Sequence, residues 1–293
     1  MRLNKTHKKL KVGKFTYLIS GDYDYVYLEN VPNKKYYDDY YKYEETMSSS
    51  RELVNPFIKL MFGINFVNKF ARLWGNYINS ARASSVNREF KKAGSVLDIG
   101  CGPGDFLVEM QKLGWKAYGT EVGDNLVHSA SKKTNTNNIF NGKIDEIINK
   151  LRRHHYDAIT VWHVLEHVKE VTKELQFLRK LSVKDTKLIV EVPNAKSANF
   201  RIFGKYWTHL MAPLHLNFWS EMSLTNLLAR HGFRVYKSEY KIHFPFVFVS
   251  SLYKKYPLSI LIFPLTVPFS VAFSFFASVV KRGDTVRVYA KPV

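Results

Sequence analysis

The most informative segment of this 293-residue chain is Val-Leu-Asp-Ile-Gly-Cys-Gly-Pro-Gly-Asp, residues 96–105. Its apolar start predicts a short buried strand, its three glycines predict a tight turn, and a helix is expected to follow. Strand, glycine turn and helix together present backbone N–H groups to a ligand at the helix N-terminus. Glycine leaves room for that approach because it has no side chain. The stretch therefore predicts a nucleotide-like ligand at the end of a central strand.

The chain beyond this stretch alternates short apolar runs with amphipathic segments. Strands are predicted at 95–99, 116–121, 138–140, 156–162, 186–192, 233–240 and 285–290. This alternation predicts an α/β fold with a doubly wound, seven-stranded, mostly parallel sheet and an antiparallel last strand. Helical spacing at 51–92 adds a helical N-terminal extension to the sheet. We divide the chain into a basic, tyrosine-rich extension, 1–50, and a domain, 51–293, with a substrate insertion at 196–222 and an apolar insertion at 243–284.

The spacing of the glycines identifies the kind of ligand. Gly100, Gly102 and Gly104 form G-x-G-x-G, and Asp105 occupies the position of the third glycine in the dinucleotide pattern G-x-G-x-x-G, so that pattern is not met. The carboxylate of Asp98 suits a ligand with amine and sulfonium charges, and it would repel a pyrophosphate. Glu121, at the end of the second strand of this sheet, can accept hydrogen bonds from two ribose hydroxyls. These residues together favour a sulfonium nucleoside over a dinucleotide.

The segments V-L-D-I-G-C-G-P-G-D-F at 96–106, Y-D-A-I-T-V-W-H-V-L-E-H-V at 156–168 and L-I-V-E-V-P-N at 188–194, with Glu121, carry a family resemblance. The chain resembles the class I methyltransferases, in the branch of the methyltransferase type 11/12/23 domains and the ubiquinone-biosynthesis O-methyltransferases. The resemblance implies a Rossmann-like fold and S-adenosyl-L-methionine as cofactor. It also implies cofactor-binding residues, which are the loop and methionine-binding positions Asp98, Gly100, Cys101, Gly102 and Gly104, the ribose acid Glu121, Asp145 near the adenine, and His163 beside the cofactor.

Composition bounds the partners and the compartment. The formal net charge of +19 predicts attraction to an anionic partner, which is a phospholipid leaflet, a phosphorylated lipid carrier or nucleic acid. The single cysteine, Cys101, excludes a disulfide framework and a cysteine-based zinc site, and we predict no metal. The N-terminus is basic and lacks the apolar core of a signal peptide. We therefore expect a cytoplasmic protein, with peripheral contact to the inner face of the membrane.

Histidines are the candidate general bases, because a hydroxyl acceptor needs one near neutral pH. His163 and His167 follow the fourth strand of the sheet, and His215 lies in the insertion expected to overhang the same edge. Rings and polar groups in that insertion suit a sugar or a quinone-like ring. The predicted catalytic residues are His167, His215 and His163, and the predicted substrate contacts are Trp207, His209, His215 and Trp219.

Residues 256–280 contain no charged residue. The stretch is long enough to cross a membrane, but the strand at 285–290 has to return to the same sheet, and Pro257, Pro264 and Pro268 disfavour one continuous helix. Two interpretations remain. The stretch is either a hairpin that dips into an anionic membrane between flanking cations, which we favour, or a pair of buried helices or a dimer interface.

The sequence thus predicts an O-methyltransferase for a membrane-proximal acceptor, which is a small molecule, a glycan, a lipid-linked saccharide or a polyprenylated ring. RNA methylation is an alternative because of the basic N-terminus, although no Asn/Asp-Pro-Pro-aromatic sequence follows the fourth strand, and nucleic acid is the less favoured partner. A regulator that binds the cofactor without catalysis is a third hypothesis, since fold does not fix function.

Overall fold

The computed structural model describes residues 8–33 and 64–293. The N-terminal part of the predicted helical segment, 51–63, and residues 1–7 and 34–50 of the predicted extension lie outside the described residues. The strands are β1 (Lys8–Val12), β2 (Phe15–Ser20), β3 (Tyr25–Leu28), β4 (Ser95–Ile99), β5 (Lys116–Glu121), β6 (Ile139–Asn141), β7 (Ala158–Trp162), β8 (Lys187–Pro193), β9 (Asn217–Trp219), β10 (Phe233–Lys241) and β11 (Thr285–Pro292). The helices are α1 (Ile64–Asn87), α2 (Asp105–Lys112), α3 (Asp124–Thr134), α4 (Ile144–Leu151), α5 (Val171–Leu181), α6 (Ala198–Phe203), α7 (Glu221–Arg230), α8 (Val247–Lys255) and α9 (Phe263–Val279).

The main sheet has seven strands in the order β10-β11-β8-β7-β4-β5-β6. Neighbours from β8 to β6 pair in parallel, and β11 runs antiparallel to both β8 and β10. The predicted doubly wound sheet with its antiparallel last strand is therefore confirmed. Because these five parallel strands end at one edge, the residues that follow β4, β5, β6 and β7 all lie there.

Alternate residues of each central strand pack into different cores on the two faces of the sheet. Val96 and Ala158 pack with α1, α2 and α3, whereas Leu97 and Ile159 pack with α4, α5 and α7. Both faces are covered, which explains why these strands read as continuous apolar runs. The helix α1 lies on the same face as α2, the helix that begins at the glycine loop.

A second sheet, which the sequence did not predict, covers the carboxyl edge of the first. Its strands are antiparallel in the order β1-β2-β3-β9, so segment 8–28 of the predicted extension pairs with a strand of the 196–222 insertion. Leu216 N–H donates to the carbonyl oxygen of Glu166, in the turn after β7, at 2.6 Å. The second sheet is thus fixed directly above the ends of the central strands.

The apolar insertion folds into α8, a short 3₁₀ turn at Pro257–Ile262 and α9. The prediction that three prolines interrupt the stretch holds only in part. Pro257 begins the 3₁₀ turn and Pro264 lies in the first turn of α9, where a missing N–H costs nothing, but Pro268 is accommodated inside the helix. None of the helices among the described residues is long and apolar enough to span a membrane.

Candidate active site

The glycine loop joins β4 to α2 in a conformation that requires glycine. Gly100, Gly102 and Gly104 have φ angles of 68°, 53° and 85°, in the left-handed region. A Cβ on Gly100 would stand 2.6 Å from a methyl carbon of Val164, and one on Gly104 would stand 2.9 Å from the backbone of Ala130. Around Gly102, by contrast, the space is open. The loop therefore packs tightly on its protein side and leaves its centre accessible to a ligand.

Two predicted cofactor residues are buried beneath the loop. The thiol of Cys101 is buried toward Gly119, where an added Cβ would meet its sulfur at 2.7 Å. Asp98 is only 2% exposed, and its carboxylate accepts a hydrogen bond of 2.7 Å from the hydroxyl of Thr160 on β7. Burial raises the pKa of Asp98 to about 7, against the smaller opposing effects of Thr160 and Arg82. Asp98 thus provides a buried carboxylate whose negative charge a cationic ligand would stabilise.

Glu121 lies beside the loop, as predicted. Its carboxylate accepts the N–H of Gly102 at 2.9 Å and that of Val122 at 2.7 Å, so it connects the ends of β4 and β5. Asp145 is exposed in the first turn of α4, four residues after β6 ends at the same edge. A buried acid, an open glycine turn and an acid at the next strand end suit a ligand with an amine, a sulfonium and a ribose diol. These residues fit S-adenosylmethionine.

His163 follows β7 directly, with a left-handed φ of 55°. Its Nδ1–H donates to Oε1 of the buried Glu166 at 2.9 Å, and its Nε2 lies 3.3 Å from Oε1 of Glu191, at an angle that makes this a charge contact. Burial lowers the pKa of His163, but the carboxylates of Glu166 and Glu191 outweigh burial and raise it. The two carboxylates thus favour the protonated form of His163.

Glu191, in the middle of β8, also binds two buried arginines. Its Oε1 accepts from Arg82 of α1 at 2.5 Å, and its Oε2 accepts from Arg287 of β11 at 2.6 Å. Burial opposes ionisation, yet the arginines hold the pKa of Glu191 well below its usual range. Both guanidinium groups also lie about 5 Å from the ring centre of Trp162. Sequence reasoning missed this cluster. The available signal was a charged residue within each of two largely apolar predicted strands, Glu191 in one and Arg287 in the other.

The other histidines of this edge surround the His163–Glu166 pair. The rings of His167 and His215 lie 4.6 Å apart, and those of His163 and His243 lie 4.4 Å apart. His215 Nδ1–H donates to the carbonyl oxygen of His209 at 2.6 Å. Burial lowers the pKa of His209 and of His215 to about 3, so both are neutral near pH 7. The structure thus assembles the predicted histidines and adds His243, from the segment after β10.

Buried polar atoms without a hydrogen-bond partner concentrate in this cluster. Among the described residues they include Nδ1 of His167, Oε2 of Glu166 and Nε2 of His209. Such atoms are uncommon in folded proteins and indicate a site for a polar ligand or solvent. Two sets of side chains also place their ligand atoms close enough to hold a metal ion, namely His163, Glu191 and His243, and Glu166, His167 and His215. In the first set, Glu191 is already committed to two arginines.

The two predicted substrate tryptophans are core residues. Trp207 is fully buried in the core of the second sheet, stacks on Phe200 at 4.8 Å, and donates its Nε1–H to Asp284 at 2.9 Å. Trp219 is buried in β9 beside Tyr25 of β3. Their burial gives both rings a structural role and leaves neither with a free face for an acceptor. His209 and His215 lie closer to the polar cluster, and their contact with an acceptor stays a prediction.

Similarity to known proteins agrees with this geometry. A curated relative, the ubiquinone biosynthesis O-methyltransferase of Nitrosospira multiformis, is 28% identical over 110 residues, which are 36% of this chain and 46% of that protein. The chain therefore aligns with less than half of that relative's length.

Two solved structures share the fold. A SAM-dependent methyltransferase from Archaeoglobus fulgidus has a TM-score of 0.52 at 20% identity, over 74% of this chain and 94% of that one. Magnesium protoporphyrin IX methyltransferase from Synechocystis PCC 6803, with bound SAH, has a TM-score of 0.51 at 14% identity, over 89% of this chain and 96% of that one.

A family model described as a methyltransferase domain matches residues 72–238, which is more than half of the chain. The matched range contains the glycine loop, Glu121 and the His163–His167 turn. Together with the fold and the fit of the loop to its ligand, this match assigns the chain to the methyltransferase domain family, as an S-adenosylmethionine-dependent methyltransferase.

Proposed function

We propose that this methyltransferase methylates a hydroxyl group, with His167 as the general base that accepts the hydroxyl proton. The observation that carries the proposal is the histidine cluster around Glu166, at the strand edge that also holds the glycine loop. An amine acceptor would need little more than alignment, whereas a hydroxyl is a poor nucleophile until its proton is removed. A collection of histidines at this edge therefore favours oxygen over nitrogen as the acceptor atom.

His167 is favoured as the base because the protonation states of His163 and His215 suit proton transfer less well. Glu166 and Glu191 favour the protonated form of His163, and that form has no lone pair to offer. His215 is neutral, but with a pKa of about 3 it is a weak proton acceptor near pH 7. Nδ1 of His167, in contrast, has no hydrogen-bond partner. The buried carboxylate of Glu166 next to it would stabilise the imidazolium that proton transfer creates.

Each part of the site then has a role in the reaction. S-adenosylmethionine supplies an activated methyl group, so a bond from the acceptor oxygen to carbon forms while the sulfur–carbon bond breaks. The glycine loop and Glu121 fix the cofactor, and the buried charge of Asp98 favours its cationic part. The proton of the hydroxyl passes to His167. The second sheet covers this edge and excludes water, which aids an in-line displacement that depends on alignment.

The proposed acceptor is a glycan, a lipid-linked saccharide or a polyprenylated ring. Support for the ring comes from the curated relative, whose name describes O-methylation in ubiquinone biosynthesis. Support for a lipid-linked acceptor comes from the surface of α9, where large apolar side chains are exposed. RNA is less favoured, and it enters the experiment as a competing acceptor.

The experiment measures S-adenosylhomocysteine formation with panels of saccharides, polyprenylated phenols and RNA. For an accepted hydroxyl substrate, His167→Asn should lower kcat by about a hundredfold or more, since general-base catalysis contributes that much, and should leave cofactor affinity unchanged. His128→Asn, at an exposed position of α3, is the matched control and should retain activity. Activity on RNA alone, or full activity of His167→Asn, would overturn the proposal.

A further inference from the structure

The distribution of polar and apolar side chains on α9 is the reverse of that on a surface helix of a water-soluble protein. Its buried side, toward the protein, carries Ser270, Ser274 and Ala277. The hydroxyls of Ser270 and Ser274 both donate to the carbonyl oxygen of Pro245, at 2.8 and 3.2 Å. In water, a helix packs its apolar stripe inward and exposes its polar side chains. The hydrogen bonds to Pro245 fix α9 in the opposite orientation.

The outer side of α9 and of the preceding 3₁₀ turn is apolar and open. Leu258, Leu261 and Leu265 are 80%, 79% and 76% exposed, and Phe275 and Phe276 are more than 60% exposed. The further exposed apolar side chains here are Ile262, Phe269, Val271, Val279 and Val280. A contiguous apolar face of this kind marks a binding surface, since scattered single exposures are the norm on soluble proteins.

The charged residues at the two ends of this apolar face indicate an anionic partner. Lys254 and Lys255 end α8 just before it, and Lys281 and Arg282 follow it. Between Glu239 and Asp284 the sequence contains no acidic residue. An apolar surface with cations at both ends suits a leaflet with anionic headgroups, where the cations contact phosphates and the apolar side chains enter the acyl region. A second copy of the same surface would place these cations together, which costs free energy.

We infer that α9 and the turn at Pro257–Ile262 form a docking surface for the face of an anionic lipid bilayer. The surface is rigidly connected to the site. Phe248 of α8 packs on Phe203 of α6, with ring centres 5.1 Å apart, and the N–H of Thr208 donates to the hydroxyl of Ser251 at 3.2 Å. His243, which contacts His163, lies four residues before α8 begins. An acceptor carried by a lipid then reaches the site from the bilayer, a consequence that rests on the proposed function.

Vesicle binding tests the docking surface without acceptor or turnover, so it can fail independently of the proposed reaction. The full-length protein is sedimented with phosphatidylcholine vesicles, with and without phosphatidylglycerol. Leu261→Ser, Leu265→Ser and Phe276→Ser should each weaken binding by at least about tenfold, the effect of removing one buried apolar side chain. Lys254→Gln and Lys281→Gln should each weaken binding to the anionic vesicles by about fivefold and have little effect on neutral ones.

Val183→Ser is the matched control, because Val183 is an exposed apolar residue in the loop before β8, at the opposite edge of the sheet. It should bind like the wild type, and circular dichroism should show unchanged folding for all variants. Wild-type binding by the three α9 variants would overturn the inference, as would equal binding to neutral and anionic vesicles. A dimer in light scattering that the α9 variants convert to a monomer would also overturn it, in favour of a subunit interface.

Discussion

Replacing Glu191 by Gln tests whether the buried charge cluster stabilises the site. The carboxylate accepts four hydrogen bonds, two from Arg82 at 3.1 and 2.5 Å and two from Arg287 at 2.8 and 2.6 Å. The amide keeps the shape of the side chain, but it removes the charge and opposes one guanidinium group with an N–H donor. Breaking a buried ion pair by removing one partner costs about 3–5 kcal/mol, because the remaining charge is left without compensation.

We therefore expect Glu191→Gln to lose about 4 kcal/mol of unfolding free energy, which for a chain of this size lowers Tm by about 10 °C. Urea denaturation and calorimetry measure the two quantities. Glu170→Gln is the control, because the ion pair of Glu170 with Lys173 is exposed and contributes about 1 kcal/mol or less. Adding Arg82→Met to Glu191→Gln should recover part of the lost unfolding free energy, because it removes one of the two buried guanidinium charges that Glu191→Gln leaves without a carboxylate. A loss for Glu191→Gln as small as that of the control would refute the reasoning.

Three further predictions follow from the site. Because the pKa of His163 is raised on folding, its ion pairs stabilise the protein fully below the unfolded value of about 6.5 and less as pH rises through the folded value. The stability difference between wild type and His163→Gln in urea should thus shrink as the pH rises above about 6.5, and a growing difference would contradict this prediction. With a pKa of about 7, Asp98 is partly protonated at neutral pH, and a cationic ligand favours its ionised form. Below pH 7, the cofactor affinity measured by calorimetry should therefore rise by up to about tenfold for each unit of increase in pH. Asp98→Asn should remove this pH dependence. Gly100→Ala should destabilise the protein by about 1–3 kcal/mol, because Gly100 has a positive φ and the added Cβ would contact Val164. Gly75→Ala, in α1 with open space around it, should stabilise the protein by about 0.5–1 kcal/mol. Equal Tm values for the two variants would contradict the strained geometry of the loop.

The sequence by itself determined the alternating part of the fold and the cofactor loop. The strands at 95–99 and 116–121 were predicted with the bounds that the structure shows. These elements follow from apolar periodicity and glycine positions, which are local in the chain. The loop residues and Glu121 were also found from local spacing, because each follows directly from the end of a predicted strand.

The contacts between segments that are distant in the chain became visible only in the folded protein. β3 pairs with β9, and the Tyr25 hydroxyl reaches the Asn217 side chain across 192 residues of sequence. Glu191 joins Arg82 and Arg287 across 109 and 96 residues. Trp207 looked like a ligand-stacking ring in an insertion, and the second sheet buried it. Pairing, burial and charge compensation depend on three-dimensional neighbours, which propensity and spacing do not encode. For the same reason, the residues of the cofactor loop could be identified from local spacing, whereas the grouping of the histidines around Glu166 depends on the fold.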